Sequence, residues 1–376
     1  MFKKVRLFQA IATLAGTTIG AGILGIPYVV QKAGFLTGLI LIIVLGLTML
    51  FLNLLLGEIV LRTNGNHQLA GYAEKYLGKT GKNLMSLSLI LGIYGALLAY
   101  IIGEGQTIAT LFNSQNYLLF SIIFFLIASF IVHFGIKILE KSELFLISLL
   151  LLIISLIAIF SFTKIDLSNL NHFNLSLIFI PYGVIFFAFL GTAAIPEIKE
   201  ELNNNRYQMK KALIIGTLIP LVIYILFTLI VIGVTGTNVS EIATLSLGDY
   251  LGEKVFIFSN LFAIVIMASA FISLSFALKE AYIHDYKFKK NKAFILTIII
   301  PLILFLIGLR DFIKVLSITG ALLGSLDGIL IVLMSWKASK KGDRIPEYQI
   351  KNKLFIGSIV MLIFIIGLIL TIKELI

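Results

Sequence analysis

The chain contains no cysteine, one tryptophan, six prolines and few charged residues for its length of 376 residues. Without cysteine, a disulfide framework and a thiolate metal site are both excluded. Only 13% of the residues are charged whereas 59% are hydrophobic, and a soluble domain of this size needs a more strongly charged surface. The composition therefore favours a protein that has the lipid bilayer as its solvent.

Catalytic and metal-binding patterns are also missing from the sequence. The four histidines lie in predicted loops or at the ends of apolar runs, and no two have the spacing of a metal-ligand pair. No Ser–His or Cys–His–Asp set falls at membrane depth, which disfavours a membrane-embedded enzyme. We expect no catalytic residue, no metal site and no cofactor apart from a coupling ion, either a proton or sodium.

The sequence is instead dominated by apolar runs of about twenty residues, the length at which a helix crosses hydrocarbon. Only helices or closed barrels satisfy their backbone groups in a bilayer, and barrel strands would show ten-residue alternation instead. An all-α integral membrane protein is therefore predicted. We predict eleven spans, at residues 7–30, 35–61, 84–112, 117–135, 143–163, 177–196, 210–234, 254–278, 292–309, 312–336 and 353–372.

The distribution of lysine and arginine orients these spans. If the N-terminus is cytoplasmic, 24 of the 30 basic residues face the cytoplasm and six face outside, as the positive-inside rule requires. The net charge of +11 then follows from topology, and no nucleic acid partner is expected. We expect a multi-pass protein of the plasma membrane, with a cytoplasmic N-terminus and an extracellular C-terminus.

The first span contains a glycine-rich interruption. Three glycines and two threonines lie within residues 16–22, and Pro27 follows five residues later. Glycine and proline weaken a helix and free backbone groups that lipid cannot satisfy. The alternative is close helix packing through Gly16-xxx-Gly20, but packing alone does not call for Gly22, Gly25 and Pro27 as well. We predict a broken helix.

The sixth span repeats this design, with Gly191 and Thr192 at mid-span and Pro196 a turn later. Two interrupted helices five spans apart indicate an inverted-repeat transporter. We therefore predict one transporter domain, with a first five-helix repeat at 1–163, a second inverted repeat at 176–337 and an eleventh span at 352–373. A half-helix N-terminus suits a carboxylate, and carbonyls freed at the preceding half-helix suit an ammonium group or a small cation. Together they match an amino acid zwitterion.

At these residues the chain resembles the amino acid/polyamine/organocation superfamily with the leucine-transporter fold. The segments Ala15–Pro27, Ile180–Phe227 and Gly308–Trp336 resemble the hydroxy/aromatic amino acid permeases, which include bacterial tyrosine and tryptophan permeases. Residues 25–28 and Gln31 are similar, more distantly, to eukaryotic neutral amino acid transporters of the system A/N type. The resemblance covers essentially the whole chain and implies an eleven-span amino acid symporter.

The resemblance also implies a substrate site. Its residues would be Thr17, Thr18, Gly20, Ala21, Gly22, Tyr100, Phe187, Phe189, Leu190, Gly191 and Thr192. Residues 20–22 would offer N–H groups to the substrate carboxylate, and carbonyls near Thr17 and Phe187 would take the amine. Residues 189–192 would border the side-chain pocket, and Tyr100 would face the substrate.

A cation site is implied by the same resemblance. It would combine carbonyls of Gly16 and Ile19 with the hydroxyls of Ser269 and Ser273, which are spaced i, i+4 on one helix face. The position next to Ser269 is Ala270 where the family has a second hydroxyl, which weakens a sodium site. A second sodium site is not expected, because Ile23 replaces the polar residue that it would need.

Three acidic residues fall inside spans, where ionisable groups are functional candidates by default. They are Glu58, Glu104 and Asp327, and each is a candidate to carry a coupling proton. The alternative for each is a structural role, as a buried acid that caps broken-helix amides or pairs with a cation across helices.

We therefore expect a secondary active transporter that works by alternating access. It would move a neutral L-amino acid in symport with a proton or sodium, and the small residues at 191–193 leave room for an aromatic side chain. The alternatives are a non-transporting amino acid sensor on the same fold and a transporter of another organic amine. The expected partners are a small-molecule amino acid and the bilayer, with no obligate protein partner.

Overall fold

The computed structural model describes residues 2–134, 143–202, 205–284 and 286–375. The regular structure of these residues is entirely helical. The helices are α1 (Phe2–Thr18), α2 (Gly22–Ala33), α3 (Phe35–Arg62), α4 (Leu69–Leu111), α5 (Tyr117–Phe134), α6 (Glu143–Ser161), α7 (Tyr182–Ala188), α8 (Ile195–Glu201), α9 (Met209–Thr235), α10 (Ala243–Ser246), α11 (Gly248–Leu251), α12 (Glu253–His284), α13 (Lys290–Leu306), α14 (Phe312–Ile318), α15 (Ser325–Lys341) and α16 (Lys353–Leu375). A π-helical turn at Thr319–Gly324 joins α14 to α15.

Among the described residues, eight helices or continuous helix pairs are long and apolar enough to cross a membrane. The pair α1 and α2, which is bent by 54° at its break, makes a ninth. The prediction of a multi-span helical protein is confirmed, whereas the count of eleven stays a prediction. Two lysines that were counted as cytoplasmic, Lys137 and Lys141, lie outside the described residues.

The outer surface of the bundle is apolar. Large hydrophobic side chains such as Leu126 and Phe130 on α5, Phe258 on α12 and Leu362 on α16 are exposed. In water such apolar surfaces would associate with each other, whereas in a bilayer they contact the lipid chains. The bundle therefore buries apolar residues in its interior, such as Phe186 and Phe271, and also presents large apolar residues to the bilayer.

Helix α4 bends at Gly78, where φ is +79°. Residues with a side chain rarely adopt this conformation, because the Cβ atom approaches the following carbonyl oxygen. An added Cβ would meet no atom within 4 Å at Gly78, so backbone conformation, and not crowding, calls for glycine. The bend separates a short first segment from the long helix that lines the bundle interior.

The end of α3 is tied to the connection between α15 and α16. The buried Glu58 carboxylate accepts hydrogen bonds from Arg62 Nε at 2.8 Å, Lys353 Nζ at 2.6 Å and the Ile350 N–H at 2.8 Å. Three donors therefore occupy this carboxylate. The structural alternative for Glu58 fits this arrangement, and its role as a proton carrier stays a prediction.

Candidate functional site

The break between α1 and α2 brings two backbones unusually close together. An added Cβ at Gly22 would lie 2.6 Å from the Cα atom of Ala188 and 2.7 Å from its Cβ atom, distances that real contacts do not reach. Gly22 itself is helical, so close approach to α7, and not an unusual φ angle, is what calls for glycine here. The two interrupted helices thus contact each other at their breaks.

The second interruption lies between α7 and α8. The last helical residue of α7 is Ala188, and a short 3₁₀ turn at Thr192–Ala194 leads into α8. An added Cβ at Gly191 would lie 2.2 Å from the Thr18 hydroxyl oxygen. Glycine at this position therefore lets the second break approach the end of α1.

One tyrosine bonds to both breaks. The Tyr224 hydroxyl of α9 lies 3.0 Å from the Thr18 carbonyl oxygen and 2.7 Å from the Ala188 carbonyl oxygen, and it is the donor to both. Its ring packs edge-on against Phe189, with the ring centroids 5.0 Å apart. The single hydroxyl proton is thus shared between the carbonyls freed where α1 and α7 end, and this shared hydrogen bond ties the two breaks to each other.

Beside the breaks lies a cavity of about 270 Å³, close to the lower end of the range for small-molecule sites. Most of the residues predicted for substrate and cation lie on its wall. These are Gly16, Thr17, Thr18, Ile19, Gly20, Gly22, Tyr100, Phe187, Leu190, Gly191, Thr192, Ser269, Ser273 and Asp327. The remaining wall is largely apolar. The fold therefore brings residues from six helices and both breaks to one small volume.

Some predicted site residues do not reach the cavity. Ala21 is buried beside it, and Phe189 turns toward Tyr224 and the space next to Gly46. The Phe189 side chain therefore does not line the cavity in this arrangement, and its role at the border of the substrate pocket stays a prediction. Glu58 and Glu104 also lie away from the cavity wall.

Free backbone groups surround the first break. Among the described residues, the N–H groups of Gly20, Ala21 and Gly22 donate no hydrogen bond, and the N-terminus of α2 has no side-chain cap. The Thr17 carbonyl oxygen likewise accepts no bond in this part of the chain, whereas the Phe187 oxygen accepts the Leu190 N–H at 3.1 Å. Donors and acceptors thus lie within one turn of each other, as the recognition of a zwitterion requires.

The two predicted serine ligands lie on the cavity wall together with Gly16 and Ile19. The Ser269 hydroxyl donates to the Ile266 carbonyl oxygen of its own helix at 3.0 Å, which leaves its lone pairs available. Ala270 also lines the cavity. The cavity wall therefore has a methyl group at the position where a second hydroxyl was considered. The role of these residues in binding a cation stays a prediction.

The buried acids differ in their surroundings. Glu104 on α4 is 0% exposed. Within the described part of the chain the Ala268 backbone N–H lies nearby, but neither carboxylate oxygen is within hydrogen-bonding geometry of a donor. Asp327 on α15 is 8% exposed, lines the cavity and has an unpartnered Oδ1 atom. Unlike Glu58, both are buried polar groups that the described residues leave unsatisfied, and such groups mark functional positions in membrane proteins.

Outside the spans, three carboxyl groups have shifted pKa values, and hydrogen bonds from the Ser168 hydroxyl and N–H lower that of Asp166. A hydrogen bond from Lys75 and a second from the Asn64 N–H hold the pKa of Asp343 below its usual range. Burial, together with the nearby negative charge of Asp311, raises the pKa of Glu241. The Asp343 contacts therefore stabilise the loop after α15 at neutral pH, and this contribution is lost as acid protonates the carboxylate.

The first half of one interrupted helix, α1, is also joined to the second half of the other, α8. The Thr13 hydroxyl of α1 donates to Glu201 Oε1 of α8 at 2.9 Å. The buried Lys199 of α8 donates to the Thr63 carbonyl oxygen at 3.0 Å and to the Gly65 carbonyl oxygen after α3. Movement of α8 relative to α1 breaks the first of these hydrogen bonds, and its movement relative to α3 breaks those of Lys199.

Sequence reasoning missed several wall residues and the bridging tyrosine. Ser88, Gly92 and Ala96 follow one another at intervals of four and lead to Tyr100 on the same face of α4. That spacing was available as a signal once Tyr100 had been selected. Tyr224 had no such signal, because nothing along the chain distinguishes it from the other tyrosines.

We expect Tyr224→Phe to weaken amino acid binding about 10-fold, because two freed carbonyls lose their donor while the ring contact with Phe189 is kept. The measurement is the dissociation constant of purified protein in lipid nanodiscs. Tyr348→Phe is the matched control, since the Tyr348 hydroxyl also donates to a backbone carbonyl, that of Leu54 at 2.7 Å, but away from the cavity. Equal affinities in the two variants would contradict the positioning role of Tyr224.

Comparison with known protein families gives a consistent result. The model of the tryptophan/tyrosine permease family matches residues 3–372. Tyrosine-specific transport system 1 of Haemophilus influenzae is 27% identical, over 95% of this chain and 94% of the relative. Glutamine transporter 2 of Aliivibrio fischeri is 27% identical, over 85% of each chain. The low affinity tryptophan permease of Escherichia coli K12 is 24% identical, over 90% of this chain and 89% of the relative.

Among solved structures, the crystal structure of MhsT in complex with L-phenylalanine is similar, with a TM-score of 0.70 and 17% sequence identity. The match covers 97% of both chains. At this identity the likeness shows the fold, which is leucine-transporter-like. The resemblance to aromatic amino acid permeases that the motifs indicated is confirmed by the family match.

Proposed function

This chain belongs to the tryptophan/tyrosine permease family, and we propose that it is a secondary active transporter that carries a neutral L-amino acid across the plasma membrane in symport with a cation. The family and the named relatives are permeases and transporters, so the chain is a multi-pass membrane permease and not an enzyme. The substrate, the coupling ion and the topology are the parts that we propose.

The proposed topology has eleven spans in two inverted five-helix repeats, at 1–163 and 176–337, followed by the span at 352–373. Two features support it: the helices are interrupted five predicted spans apart, and 24 of 30 basic residues fall on one side. The N-terminus is cytoplasmic and the C-terminus extracellular in this arrangement.

The observation that carries the substrate proposal is the set of free backbone groups at the first break. The unbonded N–H groups of residues 20–22, at the positive end of α2, receive the substrate carboxylate. The free Thr17 carbonyl takes the ammonium group, and the substrate side chain extends along the cavity wall formed by Leu190 and Thr192. Binding both charges at the breaks stabilises the closed arrangement of α1, α2, α7 and α8, which couples occupancy to alternating access.

For the coupling ion, we propose a proton carried by Glu104. A fully buried carboxylate without a partner is costly when ionised, and protonation removes that cost. Glu104 meets these conditions in the described structure. The sodium alternative at Ser269 and Ser273 is disfavoured by Ala270, which removes one oxygen ligand from the cavity wall.

The test is uptake of labelled tyrosine, tryptophan, leucine and glutamine into proteoliposomes, with a proton or a sodium gradient imposed separately. We expect accumulation with the proton gradient alone. Glu104→Gln should abolish accumulation while tracer exchange continues, because exchange needs no net proton movement. Ser269→Ala is the matched control and should leave proton-driven accumulation within about 2-fold, since the hydroxyl has no role in a proton mechanism.

Three results would contradict parts of the proposal. Uptake that requires sodium and fails in Ser269→Ala would move the coupling ion to the serine site. Binding of amino acids without uptake under either gradient would favour the sensor alternative. Competition by amino acid amides or methyl esters as effective as that of the free acids would show that residues 20–22 do not receive the carboxylate.

A further inference from the structure

A second polar region lies on the cavity wall, formed by Ser88, Leu323 and Asp327. Ser88 and Tyr100 are twelve residues apart on α4, a helix rise of about 18 Å, and Gly92 and Ala96 line the wall between them. The cavity is therefore elongated along α4. One end lies near Tyr100 and Gly20, where an added Cβ on Gly20 would be 3.6 Å from the Tyr100 hydroxyl oxygen.

The Ser88–Asp327 end has more hydrogen-bond acceptors than donors. The Ser88 hydroxyl donates to the Leu323 carbonyl oxygen at 3.0 Å, so its single proton is committed. It also lies beside the Asp327 carboxylate, but it has no second proton to donate. Asp327 Oδ1 has no hydrogen-bond partner among the described residues, although Asp327 is 8% exposed. A buried acceptor on a cavity wall requires a donor from whatever fills the cavity.

The surrounding wall indicates what kind of donor fits. Leu89, Ile93, Leu190 and Leu274 line the cavity, and Asp327 is the one acidic residue on its described wall, with no lysine or arginine there. An ammonium or guanidinium group would lose its hydration against this apolar wall, and a single carboxylate would be the one charge to offset that loss. A neutral O–H or N–H group at the tip of an otherwise apolar side chain suits both the wall and the acceptor.

We propose that Asp327, with Ser88 and Leu323, forms a specificity subsite that accepts a hydrogen bond from a neutral donor at the tip of the substrate side chain. The proposal rests on the proposed function, since the substrate carboxylate is taken to bind at residues 20–22. Phenol and indole side chains, which carry a donor on a large apolar ring, satisfy the subsite. A side chain of similar size without a donor leaves the Asp327 carboxylate unpaired, and a substrate with such a side chain binds more weakly.

The π-helical turn before Asp327 supports this assignment. Thr319–Gly324 forms one π-helical turn, and an added Cβ at Gly320 would lie 2.0 Å from the Gly183 carbonyl oxygen of α7. Such turns are uncommon and are frequently found at functional sites. The turn itself packs closely against the interrupted helix α7, and Asp327 lies on the cavity wall in the first turn of α15 that follows.

The test compares tyrosine with phenylalanine, which differ by one hydroxyl, as the ratio of their dissociation constants in nanodiscs. We expect the wild-type protein to prefer tyrosine by about 10-fold or more, the range for a hydrogen bond to a buried charged acceptor. Asp327→Leu should bring the ratio to within about 2-fold while phenylalanine still binds. Asp327→Asn should keep most of the preference, because its amide oxygen remains an acceptor.

A second variant covers the case in which Asp327→Leu does not fold. An added Cβ at Gly92 would meet only Leu323 Cδ1, at 4.0 Å, so Gly92→Leu is expected to fold and to fill the region in front of the subsite. It should exclude tyrosine and tryptophan while alanine binding stays within about 3-fold of wild type. Retained tyrosine binding in this variant would overturn the placement of the side chain.

Other outcomes also overturn the subsite. An unchanged tyrosine-to-phenylalanine ratio in Asp327→Leu would do so, as would a wild-type preference for lysine over norleucine that disappears in Asp327→Asn, which would indicate a cationic ligand. Failure of the proposed function looks different, since then neither tyrosine nor phenylalanine binds or is transported by the wild-type protein.

Discussion

Replacement of Gly22 by alanine should lower amino acid transport by about 10- to 100-fold, the effect of 1–3 kcal/mol of overpacking at the site. The added methyl group would lie 2.6 Å from Ala188 Cα and 2.7 Å from Ala188 Cβ. A contact with backbone atoms cannot be relieved by a rotamer change, so α2 and α7 must separate. Separation displaces the free N–H groups of residues 20–22 from the position that receives the carboxylate.

The measurement is initial uptake in proteoliposomes with matched amounts of reconstituted protein. Gly25→Ala is the control on the same helix, because its added methyl group would contact only side-chain tips, those of Ile313, Val184 and Leu316, at 3.2–3.3 Å. We expect Gly25→Ala to change uptake by less than about 3-fold. The double variant Gly22→Ala, Ala188→Gly lacks the contact with the Ala188 Cβ atom and should recover part of the activity. Full activity in Gly22→Ala alone would contradict the close approach of the two breaks.

Replacement of Glu58 by glutamine should destabilise the protein by about 3–5 kcal/mol, the usual cost of removing one partner from a buried ion pair. The Glu58 side chain is 2% exposed and its carboxylate is bonded to Arg62 and Lys353. Without the carboxylate, two cations remain next to each other in a largely buried position. The Ile350 N–H also loses its charged acceptor, which loosens the connection between α15 and α16.

Thermal unfolding of the purified protein measures this effect, and Glu74→Gln is the matched control. Glu74 pairs with Lys82 at the same distance, 2.8 Å, but the two side chains are 46% and 44% exposed. A solvated pair contributes about 0–1 kcal/mol, so the control should unfold close to the wild-type temperature. A Glu58→Gln protein of wild-type stability that no longer responds to a proton gradient would instead support Glu58 as a proton carrier.

The broken first helix could be predicted because its cause is local. Residues 16–27 combine glycine, threonine and proline at membrane depth, and backbone chemistry alone weakens a helix there. The helix face on which two residues lie is local as well, and Ser269 and Ser273, spaced i, i+4, both line the cavity wall. The role of those serines stays a prediction, since the wall position alone does not establish an ion.

The partners of each helix face could not be predicted, because they depend on how the bundle packs. Phe189 follows the break in sequence, but it turns toward Tyr224 instead of the cavity. The three acids looked alike along the chain, yet Glu58 is bonded to Arg62 and Lys353 whereas Glu104 has no partner in the described structure. A contact such as Glu58–Lys353, between residues far apart along the chain, leaves no spacing that a sequence pattern can show.

By itself, the sequence determined the solvent of this protein, its helical class and the places where helices are interrupted. Each of these follows from composition or from the intrinsic conformational preferences of neighbouring residues. Only the tertiary structure decided that Gly22 contacts Ala188, that Tyr224 bonds to both breaks and that Ser88 and Asp327 meet on one cavity wall. The physical reason is that close packing between helices selects which face meets which neighbour, and that selection is a property of the whole bundle.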